Sequence, residues 1–113
     1  MSNEKSPEQG ARTEQIAHLN DEFRRSGPNA NWVATVGALA LSDFPGLIKA
    51  VQDFDTFTPD NDPYGEHDFG RIDWQQERTF WKIDYYDQEL QYWHDPLSEA
   101  CRRILTMMLA SEY

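Results

Sequence analysis

Three consecutive residues, Glu66-His67-Asp68, hold the densest set of groups able to move a proton or bind a cation. On an extended strand, side chains alternate faces, so Glu66 and Asp68 would point one way and His67 the other. That alternation weakens a three-ligand site. It permits a carboxylate pair, met by Lys82 or Asp84 from a neighbouring strand, able to hold Mg²⁺ or do acid–base work. Glu66, His67, Asp68, Lys82 and Asp84 are therefore the candidate residues of a small metal-dependent hydrolase. The competing structural reading is that Asn61 to Gly65 is a turn built from Asx residues, a Pro bend and a left-handed Gly.

Stricter motifs fail. Asp60-x-Asp62-x-Tyr64-Gly65 begins like a calcium loop, but Pro63 stiffens it and Arg71 stands where the twelfth-position Glu is needed. A nuclease pattern with an acid two residues before a lysine would need an acid where Phe80 stands, before Lys82. Gly65 and Gly70 are isolated and make no phosphate loop. One cysteine, Cys101, and three histidines, His18, His67 and His94, exclude a zinc finger. No cofactor or resident metal is expected.

The charge is unevenly distributed. The 113 residues carry 20 acids, 10 Lys or Arg and a net charge of −10. Residues 53–95 hold twelve of the acids, only Arg71, Arg78 and Lys82 against them, and 11 of the 15 aromatics. Such a chain repels nucleic acid and anionic lipid, so no direct nucleic-acid or membrane binding is expected. A basic partner is favoured. The bland alternative is a solvated acidic sheet face over an aromatic core. In the partner reading, Asp60, Asp62, Glu66, Asp68, Asp73, Glu77 and Asp87 supply charge. Tyr64, Trp74 and Trp93 are the aromatic anchors, since Trp and Tyr often dominate interface energy. A single thiol, no apolar run near ~20 residues and no apolar leader point to the cytoplasm.

The elements that must position these residues follow from periodicity. Residues 1–10 read as a disordered tail and 11–113 as one domain. A helix is predicted over about Arg12 to Arg25, from Ile16, Leu19 and Phe23, with Arg24 and Arg25 at the negative end of its dipole. A strand over Asn31 to Val36 follows, then a helix capped by Ser42 with Phe44, Leu47, Ile48, Val51 and Phe54 on one face. Asp55 to Gly65 is a loop. Glu66 to Trp74, Glu77 to Tyr85 and Gln88 to Trp93 read as a three-strand antiparallel meander. In the middle strand, Trp81, Ile83 and Tyr85 share one face, and Phe80, Lys82 and Asp84 the other. A last helix is predicted, capped by Asp95 with Pro96 in its first turn. Leu97, Cys101, Ile104, Leu105, Met108 and Leu109 form its stripe. The result is an α+β fold, an antiparallel sheet of about four strands under three helices, in the order α-β-α-β-β-β-α.

The words FTPDNDPYGEHDFG (57–70), WKIDYYD (81–87) and RILTMMLASEY (103–113) resemble a bacterial domain-of-unknown-function family associated with alphaproteobacterial plasmids and prophages. The resemblance covers about residues 12–113. It departs at Tyr92-Trp93-His94-Asp95-Pro96, where relatives resemble Gly-Ser-Pro-x-Asp-Pro. It brings no catalytic residue, but its mobile-element setting implies an anti-defence role. The expectation is an acidic interaction module that blocks a basic nucleic-acid-binding protein or nucleoprotein complex. It would act as a nucleic-acid decoy, such as an inhibitor of a CRISPR surveillance complex. The hydrolase above and an antitoxin or immunity protein for a basic toxin are the alternatives.

Overall fold

The structure, a computed structural model, describes residues 6–113. Helix α1 spans Pro7–Ser26. It starts five residues before the predicted Arg12 because Ser6 and Gln9 form a reciprocal capping box and Pro7 occupies the first turn. Residues 7–10 are thus helical, and residues 1–5 of the expected tail lie outside the described residues. Strand β1 (Trp32–Ala34) is shorter than predicted, because Thr35 caps a four-residue helix, α2 (Val36–Leu39). Helix α3 (Phe44–Gln52) is capped by Asp43 rather than Ser42, with the Gly46 N–H donating to Asp43 Oδ1 at 3.2 Å.

Strands β2 (Phe69–Trp74) and β3 (Glu77–Tyr86) make the predicted antiparallel hairpin. Gln75 and Gln76 both have positive φ, the backbone that a two-residue hairpin turn demands. The predicted third meander strand, Gln88–Trp93, is instead a loop touching β3 through one bridge, Tyr86 to Trp93. The predicted last helix is a strand, β4 (Arg102–Leu109), followed by a 3₁₀ turn, η1 (Ala110–Glu112). Asp95 caps a turn, accepting the Leu97 N–H at 2.9 Å.

The sheet order is β1-β4-β3-β2. Strand β4 runs antiparallel to β3 and parallel to β1, so the sheet is mixed rather than antiparallel. One face carries Trp32, Leu105, Met107, Trp81, Ile83 and Tyr85, all buried, with Ile16 of α1 and Leu47 and Val51 of α3 in the same core. The predicted alternation along β3 holds. On the opposite face, Phe69, Phe80 and Tyr113 form a small aromatic cluster, and Lys82 pairs with Asp84 at 3.0 Å. That hydrogen bond raises the Lys82 pKa despite partial burial.

Candidate functional site

The segment 61–68 lies across the seam between α1 and the sheet. His67 sits in the left-handed region, at φ 56°, and its N–H donates to Asp62 Oδ1 at 3.2 Å. Its ring stacks on Phe57 at 3.9 Å with an interplanar angle of 2°. Nδ1 lies 3.0 Å from Asp21 Oδ1 on α1, and Nε2 lies 3.8 Å from Asp62 Oδ2. The imidazole is held between two carboxylates and a ring.

Asp21 also accepts from Arg24 at 2.9 Å. The Arg24 side chain is 0% exposed, donates to the Val51 and Gln52 carbonyls, and lies over the Phe57 and Trp81 rings. Burial lowers its pKa, and the bond to Asp21 opposes that. Beside this cluster, buried Asn20 donates to the Tyr85 hydroxyl at 2.8 Å and to the Glu66 carbonyl at 2.9 Å. It accepts from Arg103 at 2.6 Å. Tyr85 donates to Glu66 Oε1 at 2.9 Å. Burial pushes the Tyr85 pKa well up. Asp68 is raised to about 6, first by burial and then by nearby Glu66.

The five hydrolase candidates do not assemble. Glu66 and His67 turn toward Tyr85 and α1, whereas Lys82 and Asp84 pair with each other on the sheet's other face. Among the described residues, no group of three or more His, Cys, Asp or Glu could hold a metal ion. The arrangement looks like a polar clasp fastening α1 to the sheet.

The predicted partner-binding residues also scatter. Asp60, Tyr64, Asp73, Glu77 and Trp93 are exposed, but Asp62 is buried against His67 and Glu66 and Asp68 are half-buried. Asp73 is occupied by Arg71 at 3.2 Å, and Trp74 donates its indole N–H to the Ser42 carbonyl at 3.0 Å. Asp87 caps its own loop, accepting the Gln91 N–H at 2.9 Å. Asp73 and Glu77 lie at the β2–β3 turn, while Asp87 and Trp93 lie at the far end of the ten-residue β3.

What the structure does gather is the loop after β3. There Leu90, at φ 60°, is 40% exposed, Tyr92 72% and Trp93 68%. From Ile83 to Cys101 the chain has five acids and no Lys or Arg. Trp93 was legible in the sequence; Leu90 and Tyr92 were hidden inside the predicted strand. Asn20, Asp21, Arg24 and Arg103 left no signal as a cluster, because they come together only in three dimensions.

A family model described as "Protein of unknown function (DUF3768)" matches residues 32–112. The chain belongs to this family. No curated protein and no solved structure matches it. The DUF3768 match runs from β1 through η1 and leaves α1 outside. Half of the clasp, Asn20, Asp21 and Arg24, therefore stands outside the matched span, and the loop bearing Tyr92 and Trp93 stands within it. Among the described residues, no helix is long and apolar enough to cross a membrane.

Proposed function

We propose that this DUF3768 protein is an acidic interaction module that binds a basic, nucleic-acid-handling partner and competes with its nucleic acid. The observation that carries the reading is the loop 87–95. Two aromatic side chains stand about 70% exposed on a stretch without a single Lys or Arg. Exposed Trp and Tyr are costly to leave in water and are characteristic interface anchors. Carboxylates around them steer a cationic surface and oppose an anionic one. Asp87 and Glu89 rim the loop directly, Asp60 and Glu77 extend the negative field over the rest of the surface, and Tyr64 adds a further exposed aromatic. The mobile-element setting implied by the sequence resemblance makes a defence complex such as a CRISPR surveillance complex the class of target.

A photo-crosslinking residue at position 92, used in host lysate, tests this. The expected product is one basic nucleic-acid-binding protein, lost at high salt and lost with Trp93→Ala. The purified pair should then show nucleic acid and this protein excluding each other. Recovery of an acidic partner, or a ternary complex with nucleic acid still bound, would refute the decoy reading.

A further inference from the structure

An open groove lies between the C-terminal half of α1, the segment 30–31 and the start of β4, with Gln88 of that loop in its lining. Arg25, Arg102 and Arg103 line it, and Leu19, Phe23 and Cys101 give it apolar wall. Three arginines in one groove are unexpected in a chain of net charge −10. Their partners set them apart. Arg12, Arg24 and Arg71 each meet a carboxylate. Among the described residues, Arg25, Arg78, Arg102 and Arg103 form no ion pair, and three of these four line the groove. Arg103 is held by the Asn20 side-chain oxygen at 2.6 Å and the Pro96 carbonyl at 2.8 Å. Arg102 is held by the Asn31 side-chain oxygen at 3.0 Å and the Gln88 carbonyl at 3.4 Å. Successive strand residues point to opposite faces, yet at the β4 terminus both side chains reach the groove.

Neutral acceptors fix a guanidinium in place without cancelling its charge. Of the two acids that line the groove, Asp21 is already engaged by Arg24 and His67, and exposed Glu22 contacts His18 at 2.9 Å, so three guanidinium groups face at most one uncompensated carboxylate. Positioned, uncompensated guanidinium forks suit a phosphate, which they can bind bidentately. Apolar wall beside them suits an organic body. The long-range repulsion of this chain works against a polyanion and far less against a small one, because charges beyond ~8–10 Å are screened at physiological salt.

From this geometry we infer that the groove binds a small phosphorylated molecule. Its phosphate is taken by Arg25, Arg102 and Arg103, and its body lies against Leu19 and Phe23. The groove borders the loop 87–95 through Gln88, which lines it and whose carbonyl accepts from Arg102, but the inference does not depend on the reading given to that loop.

Calorimetric titration of the full chain with adenosine 5′-monophosphate, inorganic phosphate and citrate tests the inference. Saturable binding of the nucleotide, stronger than that of phosphate and absent for citrate, is expected. Arg25→Glu should weaken it about tenfold or more. Arg25 is exposed and its side chain makes no bond in the fold, so that variant should stay folded, losing only the modest interaction of a last-turn cation with the helix dipole. Arg102→Gln should weaken binding as well. No binding at millimolar nucleotide, equal binding of citrate, or full affinity in Arg25→Glu would overturn the assignment.

Discussion

Asp68 keeps its proton to about pH 6 in the folded chain, against an ordinary value of 3.8. A carboxyl whose folded pKa is raised binds its proton more tightly when folded. Its contribution is therefore most favourable below the unfolded pKa, and stability is lost as pH rises from about 4 to about 6. The shift corresponds to nearly 3 kcal/mol at face value, which partial exposure reduces to about 1–2 kcal/mol. Asp68→Asn should match the parent near pH 4 and exceed its stability by that amount at pH 7, read from chemical unfolding at each pH. Parallel pH profiles for the two proteins would show that Asp68 is not the group responsible. Asp95 and Glu112 act in the opposite sense. A backbone N–H and Arg12 hold Asp95 low, and Thr35 and the Leu109 N–H hold Glu112 low. Their contributions fade as the solution becomes strongly acidic.

Arg24 makes a second case at the scale of one side chain. Truncation to Ala removes a buried cation, takes the side-chain donor from the Gln52 carbonyl and one donor from the Val51 carbonyl, which keeps the Phe54 N–H, and leaves Asp21 with only His67. The expected loss is about 3–5 kcal/mol, read from the denaturation midpoint. A loss below about 1 kcal/mol would mean that water replaces the guanidinium at little cost. The sequence placed Arg24 beside Arg25 in the last turn of a helix, both suited to the negative end of its dipole. Only the packing of α1 on α3 separates them, one buried under two rings and one left in solvent.

Among the elements, β2 and β3 meet most tightly where Gly70 faces Trp81. A methyl on Gly70 would run into the buried Trp81 indole nitrogen, which cannot swing away from a filled core. Gly70→Ala should therefore cost roughly 1–3 kcal/mol while keeping the fold, checked by thermal unfolding and by the near-ultraviolet signal of Trp81. The β2–β3 hairpin and the face alternation of β3 were legible because the buried and half-buried residues of β3 alternate strictly. Strand β4 was not. Its run Ile104-Leu105-Thr106-Met107-Met108-Leu109 fits spacings of two and of three to four equally well. It is a central strand with apolar neighbours on both faces. Leu105 and Met107 enter the main core, and Met108 lies buried opposite Phe80 in the β3–β4 register. Pairing with β1 and β3 overrides the helical pattern. That choice is decided by residues 16 to 73 positions away, which local spacing does not record. The candidate site shows the same limit: His67 and Asp62 are neighbours in sequence, but Asp21 reaches them across 46 positions.

For the whole molecule, the question is whether the span matched by DUF3768 is a folding unit. Residues 32–112 contain the complete sheet with α2, α3 and η1. Without α1, however, the core loses Ile16, and the Tyr85 hydroxyl and Arg103 lose Asn20. His67 loses Asp21, and the cation lying over Trp81 disappears. One face of a four-stranded sheet would then be covered only by α3, the short α2 and the segment bearing Phe54 and Phe57. Stripping a helix exposes several apolar side chains worth ~1.5–3 kcal/mol each, on top of the orphaned polar groups. That sum is comparable with the whole ~5–15 kcal/mol expected to hold a domain of this size together. A fragment of residues 32–112 should be unfolded or molten, with poor amide dispersion and a weak near-ultraviolet signal. A separate peptide of residues 6–31, added in excess, should restore both if the loss is one of packing and hydrogen bonds. A fragment that folds cooperatively alone would show the clasp to be dispensable. Its Asp21, Arg24 and Asn20 partners would then have a role other than stability.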